Sequence, residues 1–312
     1  MSKPLRGRRR SVFIAHVALA LSLTGTSVSG QETAVPIVAC STTQVADFAR
    51  QVVGDRWEVR CVLAPGQDPH LYEVTPNDVA LVRDAKLLLA NGLHLEGSNW
   101  IEKLGQDVGK PVVVCAEGIK PLQIELTESA ETISVSDPHA WFTPQNAAVY
   151  VRNILRAVAA VDPEYADEYR ARTELYLAQL RTLDGWIVQQ CNAIPRDRRI
   201  LVTSHDAFGY FCQQYGFQSA APTGWSTGQE IGGGITPRRR KESVASIAKF
   251  GVKAIFVETS VSPKLIREIA AEAGVQIGGE LYSDSMGPSG SAGETYLGMM
   301  RENVLTIVQA LK

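Results

Sequence analysis

One stretch of this chain frames the reading of all the rest. Residues 162–194 read as an uninterrupted helix, with Asp162 as N-cap and Pro163 in its first turn. Tyr165, Tyr169, Tyr176, Leu180, Leu183 and Ile187 recur at spacings of three, four and seven, which is one helix face, and Pro195 ends the pattern. At 1.5 Å per residue such a helix is roughly 45–50 Å long, the length of a whole protein rather than of a crossover. No other helical pattern of similar length is present to pack with it, so it reads as a single rigid connector between two bodies.

The same grammar stands on both sides of that connector. Before it, short apolar runs at 37–41, 58–63, 86–90 and 112–115 alternate with helical patterns at 43–53 and 76–85. After it, runs at 200–203, 217–221, 254–258 and 275–277 alternate with helical patterns at 244–250, 263–273 and 295–311. Short apolar strands alternating with amphipathic helices indicate βαβ units and parallel sheets buried on both faces. The expected class is therefore α/β, with two parallel-sheet lobes (31–161 and 195–312) joined by the helix at 162–194.

Residues 1–30 read as a secretory signal. Arg6, Arg8, Arg9 and Arg10 form a charged start, an apolar run at 12–23 is too short to span a bilayer, and cleavage near Gly30-Gln31 is expected. Arg9-Arg10-Ser11-Val12-Phe13 also loosely fits a twin-arginine signal. Export places the mature chain in the periplasm. Ile37-Val38-Ala39-Cys40 resembles a lipoprotein cleavage box, but it lies across a polar stretch from the apolar run, so Cys40 is expected in a buried strand and a lipid anchor is not expected. The leader carries five of the 31 Lys+Arg and no acid, which leaves 26 bases against 33 acids, a balance of −7. That argues against nucleic acid as a partner and favours a cationic ligand. Cys40, Cys61, Cys115, Cys191 and Cys212 have no zinc-finger spacing, and their odd number leaves at least one unpaired.

The chain has only five histidines, and one of them, His16, lies in the leader. Three others sit in short motifs at strand ends or in Pro-marked loops: His70 in Asp68-Pro69-His70, His139 in Asp137-Pro138-His139-Ala140-Trp141, and His205 in Ser204-His205-Asp206-Ala207. Asp284, in Tyr282-Ser283-Asp284-Ser285, follows the last strand-like run. Ligands of open α/β sheets collect outside the carboxyl ends of the strands, where all four lie. Two come from each lobe, so one ion would staple the lobes together. Imidazoles plus a carboxylate suit a borderline divalent ion, Zn²⁺ or Mn²⁺.

Neighbouring residues admit two readings each. Asp68 and Asp137 either orient a histidine ring or make Asx-turns before proline. Trp141 either covers the site or belongs to the core. His94 is either a substitute ligand or a rim residue, and Glu230 and Glu258 are either acids supporting the site or solvated and capping groups. The Gly-rich segment 224–237 lacks a phosphate-loop pattern and reads as a surface loop. Arg238-Arg239-Arg240-Lys241 reads as a solvated helix face.

Five motifs in order resemble the metal-binding solute receptors of ABC importers, the zinc/manganese group and its TroA-like members: Asp68-Pro69-His70; Asn91-Gly92-Leu93 with Leu95-Glu96; Asp137-Pro138-His139-Ala140-Trp141; Ser204-His205-Asp206-Ala207-Phe208-Gly209-Tyr210-Phe211; and the run from Gly278 through Tyr282-Ser283-Asp284-Ser285 to Gly287. The resemblance implies two α/β lobes joined by one long helix, one ion between them held by His70, His139, His205 and Asp284, and an ABC-type permease in the cytoplasmic membrane as partner. The long His- and acid-rich loop of many zinc-specialised members is absent, since 122–136 holds three glutamates and no histidine. Histidine stands third where many manganese-specialised members have glutamate. The metal stays open between Zn²⁺ and Mn²⁺.

The expectation is a monomeric periplasmic receptor, not an enzyme, that captures one such ion and delivers it to the permease. Its affinity should fall as pH drops through about 6.5, and the long helix should restrict the lobes to small movements. The rivals are a secreted zinc hydrolase, against which stands the lack of HExxH, GxSxG or an obvious base, and a metal-binding adhesin or sequestering surface protein.

Overall fold

The computed structural model describes Met1 and residues 35–128, 131–220, 237–249 and 251–312. The rest of the expected leader, the Gly-rich segment 224–236 and Glu230 lie outside the described residues. The first sheet is built from β1 (Ile37–Cys40), β2 (Glu58–Cys61), β3 (Leu87–Ala90) and β4 (Val112–Val114), all parallel, in the order β2-β1-β3-β4. Helices α1 (Thr43–Val53), α2 (Pro76–Arg83) and α3 (Trp100–Val108) make the crossovers. Side chains alternate between faces as a strand requires. Val38, Cys40, Leu87 and Leu89 enter one apolar core, while Ala39, Leu88 and Ala90 enter another with Ile101 and Leu104 of α3.

A hairpin follows, β5 (Gln123–Glu128) and β6 (Glu131–Ser136), antiparallel and in register from Gln123↔Ser136 to Glu128↔Glu131. The strand-like runs read from the sequence do not include this stretch. Its alternation of Ile124 and Leu126, and of Ile133 and Val135, with polar residues was a strand signal.

Next come α4 (Pro144–Val161) and α5 (Ala166–Cys191). Two expectations change here. The long helix is shorter than 162–194, because Asp162 takes non-helical angles (φ −131, ψ 69) and residues Pro163–Tyr165 form a separate 3₁₀ turn. Its 26 residues make it about 39 Å long. It also does not lack a helical partner: the 18-residue α4 packs along it, and α1 does too. Ala-rich spacing in α4 diluted the stripe of Tyr150, Val151, Ile154 and Val158 that seats it.

The second sheet contains β7 (Ile200–Val202), β8 (Gln218–Ala220), β9 (Ala254–Glu258) and β10 (Gln276–Leu281), again all parallel, in the order β10-β9-β7-β8. Read from the β8 edge, this is the same order as the first sheet: second strand, first, third, fourth. The helices are α6 (Gly209–Tyr215), α7 (Pro237–Lys249), α8 (Lys264–Ala273) and α9 (Tyr296–Leu311). Arg240 of the basic cluster is paired with Glu268 and Glu272 of α8. Four cysteines are buried, Cys61 is partly buried, and all five are free thiols. Among the described residues no helix is long and apolar enough to cross a membrane.

One apolar core runs through both lobes. Phe48 of α1 lies 4.8 Å from Tyr296 of α9 and 6.4 Å from Tyr176 of α5, centroid to centroid, and Phe142 of the first lobe lies 4.3 Å from Phe208 of the second.

Candidate metal centre

His70, His139, His205 and Asp284 converge where the carboxyl ends of the two sheets face each other. One donor atom from each lies within 4.8 Å of all the others. His70 Nε2 is 3.3 Å from His139 Nε2, His139 Nε2 is 3.3 Å from Asp284 Oδ1, His205 Nε2 is 3.2 Å from Asp284 Oδ2, and His70 Nε2 is 3.9 Å from Asp284 Oδ2. Donors arranged tetrahedrally at about 2.05 Å from an ion stand about 3.3 Å apart. The spacing therefore fits a single small cation. Both Asp284 oxygens face histidines, so the carboxylate offers one or two donor atoms. His139, His205 and Asp284 are buried, at 0%, 0% and 1% exposure.

Carboxylates fix the histidines. The His70 N–H donates to Asp68 Oδ1 (2.8 Å), an Asx-turn that sets the loop. Asp137 does more: its Oδ1 accepts the His139 N–H at 2.9 Å and lies 2.8 Å from His139 Nδ1. Glu258, the last residue of β9, does the same for His205, taking its N–H on Oε1 at 2.9 Å with Oε2 2.6 Å from Nδ1. A carboxylate on Nδ1 fixes the tautomer that leaves Nε2 to a ligand and raises the ring's basicity.

The charge states follow. Burial lowers His70 to about 3, which Asp284 only partly offsets and the neighbouring histidines reinforce. Burial acts the same way on His139, but its bonds to Asp137 and Asp284 outweigh it and raise the ring to about 9. His205 is likewise held well above the ordinary imidazole value, burial being outweighed by Glu258 and Asp284. Asp284 is held well below the usual carboxylate range, since His205 and His139 outweigh its burial. The metal-free site thus favours an ionised Asp284 beside protonated His139 and His205, whose protons a divalent ion has to displace.

A buried network supports this arrangement. Glu96 accepts the N–H groups of Asn91 (2.6 Å) and Gly92 (3.1 Å) and the Ser41 hydroxyl (2.6 Å). Asn91 Nδ2 then donates to the Pro138 carbonyl (3.1 Å), beside His139, and Tyr150 donates to Asn91 Oδ1 (2.7 Å). Trp100 Nε1 donates to the Pro69 carbonyl, beside His70, at 3.1 Å. A Cβ on Gly97 would stand 2.0 Å from the His70 carbonyl oxygen, so only glycine lets the loop approach. Leu93, His94, Ser98 and Asn99 all have positive φ, marking a tightly constrained loop. The Asn91-to-Glu96 motif thus carries the carboxylate that anchors the site from below.

The structure places the ancillary residues as follows. Trp141 is buried with its ring centroid 5.4 Å from His139, so it both packs the core and walls the site. His94 is exposed and stands outside the convergent group. Glu258 supports His205. Sequence reasoning missed Thr43 and Gln44, which are buried beside the Asp284 segment. The signal available was a polar run, Ser41-Thr42-Thr43-Gln44, immediately after a buried strand.

Residues 38–310 match the family model described as "ZnuA: Zinc-uptake complex component A periplasmic". The chain is 36% identical over 307 residues to the manganese-binding lipoprotein MntA of Bacillus subtilis, covering 96% of this chain and 97% of the relative. It is 36% identical over 282 residues to the zinc-binding protein TroA of Treponema pallidum, covering 88% of this chain and 89% of the relative. The solved structure of the periplasmic zinc binding protein TroA from Treponema pallidum superposes with a TM-score of 0.79 at 34% identity, over 88% of this chain and 99% of that one. With its two parallel α/β lobes, long helix and buried His₃Asp group, this chain belongs to the zinc-uptake component A family of substrate-binding receptors.

Proposed function

We propose that this protein is the extracytoplasmic receptor of a divalent-metal importer, taking up one Zn²⁺ or Mn²⁺ ion on His70, His139, His205 and Asp284 and delivering it to an ABC-type permease in the membrane. The observation that carries the reading is the convergence of four donor groups within 4.8 Å of one another, two of the histidines standing with Nδ1 against a carboxylate. Binding rather than catalysis is the role that fits. The nearby carboxylates Asp137 and Glu258 are engaged by histidines, and the donors enclose the ion instead of presenting it to a substrate.

The receptor works as a monomer free in the periplasm. MntA is named a lipoprotein, but cleavage ahead of Cys40 would here remove three of the four residues of the central strand β1. A competition titration of residues 31–312 with Zn²⁺ and Mn²⁺, counting bound metal by elemental analysis, tests the reading. One ion per chain, lost in His70→Ala and Asp284→Ala, is expected, and the competition ranks the metals. Binding unaffected by either change would mean that these residues are not the ligands.

A further inference from the structure

We propose that Thr43 and Gln44, at the start of α1, are positioning residues that latch the Asp284 segment to the N-terminal lobe and so set how long a bound ion stays. The proposal rests on the receptor reading above. Asp284 follows β10 and belongs to the second lobe, yet the backbone on both sides of it is held from the first. Gln44 Nε2 donates to the Ser283 carbonyl at 3.0 Å. The Met286 N–H donates to Thr43 Oγ1 at 2.9 Å. The Thr43 hydroxyl in turn donates to Gln44 Oε1 at 3.1 Å, so each latch residue fixes the other. The Gly66 N–H adds a bond to Ser285 Oγ at 2.8 Å, and one turn along α1 Asp47 accepts the N–H of Tyr296 at the start of α9 (3.0 Å).

Thr43 is 7% exposed and Gln44 2%. A buried amide costs free energy unless both of its ends are bonded, and an apolar side chain would fill the same volume. What Gln44 adds is direction: it holds one carbonyl, one residue from Asp284, in one place. These bonds do not involve the ion. The lobes are therefore tied at this point before metal arrives, and the ion is not the only staple. Moving Asp284 away from the three histidines breaks the latch as well as the coordination, which adds to the barrier for release and leaves the ligand set untouched.

The test uses residues 31–312 loaded with one Zn²⁺ and mixed with an excess of a chromogenic chelator in a stopped-flow instrument. Gln44→Met and Thr43→Val keep volume and remove the bonds, and Thr43→Ser keeps the hydroxyl. Each loss should speed dissociation a few-fold and the pair about tenfold, the size expected for hydrogen bonds exchanged with water. Thr43→Ser should match the wild type, and stoichiometry should stay at one. A lower melting temperature of the metal-free protein with an unchanged dissociation rate would overturn the proposal in favour of a purely structural role. Hydrogen exchange of the Met286 amide in metal-free wild type gives a check that needs no variant. Slow exchange is expected, and exchange at the rate of an open loop would overturn the latch. If the wild type holds neither Zn²⁺ nor Mn²⁺ in the titration, the receptor reading itself fails.

Discussion

The two lobes share a strand order but not a use for it. In each, a loop leaves the first strand at the centre of the sheet, and a carboxylate near the third strand reaches back to it. In the first lobe the loop begins at Ser41 and the carboxylate is Glu96; in the second the loop carries His205 and the carboxylate is Glu258. Glu96 spends its oxygens on two backbone N–H groups and a hydroxyl, fixing a turn. Glu258 spends its oxygens on one histidine, fixing a member of the convergent group. The same topology therefore supplies rigidity on one side and a donor on the other. The first lobe brings its own histidines from elsewhere, His70 after β2 and His139 after the hairpin.

The sharpest way to break this comparison is to remove the two carboxylates in turn. Glu96→Ala orphans the N–H groups of Asn91 and Gly92 and the Ser41 hydroxyl, all buried. Losing the partner of three buried groups should destabilise the metal-free fold by roughly 2–4 kcal/mol, read as a lower urea midpoint. Glu258→Ala also orphans a buried N–H and should lower the midpoint too, but its distinguishing effect should be a cut in metal affinity of about 10–100-fold, the usual effect of removing the group that orients a metal-binding histidine. Equal effects of the two changes on affinity would end the distinction.

How much of this was legible in the sequence follows the same division. His70, His139, His205 and Asp284 were readable as a candidate group because ligand chemistry restricts residue type and each stands in a turn marked by Pro, Ser or Asp, and the structure brings the four together. The central parallel strands β1, β3, β7 and β9 were readable to within a few residues because strands covered on both faces are apolar throughout, whereas the hairpin β5–β6 was not read. Glu96 was visible only as a piece of a motif, since its partners are backbone groups that carry no sequence signature. Thr43 and Gln44 were invisible as a latch because their partners lie about 240 residues away. α3 escaped because a nine-residue helix with Gly105 inside it gives a weak pattern, and Gly105 is there because a Cβ would stand 2.4 Å from Val112.

Protons offer a second comparison, between histidines matched across the lobes. His139 and His205 both stand against carboxylates and both are raised, His139 to about 9, while His70 is lowered to about 3. At neutral pH the metal-free protein is then biased towards the imidazolium form on each of the raised pair and the neutral imidazole on His70. An incoming ion must displace both. The sign is that a lower pH favours the protonated, metal-free form, so apparent affinity falls with falling pH, by up to about 100-fold per unit while two protons are released. The window extends above the 6.5 expected of an ordinary imidazole, up to about 9. Calorimetry in buffers of different ionisation enthalpy counts the protons directly. Two per ion is the expected value, and one per ion in Asp137→Ala. One in the wild type would mean that the lobes are not matched.

The smallest expected effect tests whether the second lobe helps hold the first lobe's histidine. Gly209 opens α6 of the second lobe, and a Cβ there would stand 2.6 Å from Asp137 Oδ2. The next residue, Tyr210, donates to the Asp137 carbonyl at 2.9 Å and accepts the Leu122 N–H at 3.1 Å, so α6 lies hard against the segment that carries His139. In Gly209→Ala the methyl must push the Asp137 carboxylate, whose Oδ1 orients His139. Alanine favours the helix by up to about 1 kcal/mol over glycine, which offsets part of the crowding. Stability of the metal-free protein should therefore change little while metal affinity drops about tenfold, through the loosened ring. Gly97→Ala is the contrasting case. There the methyl meets the His70 carbonyl at 2.0 Å, a backbone atom that cannot swing aside, so stability and affinity should fall together. If Gly209→Ala also lost stability without losing affinity, α6 would be packing against Asp137 without steering it, and the orientation of His139 would belong to the first lobe alone.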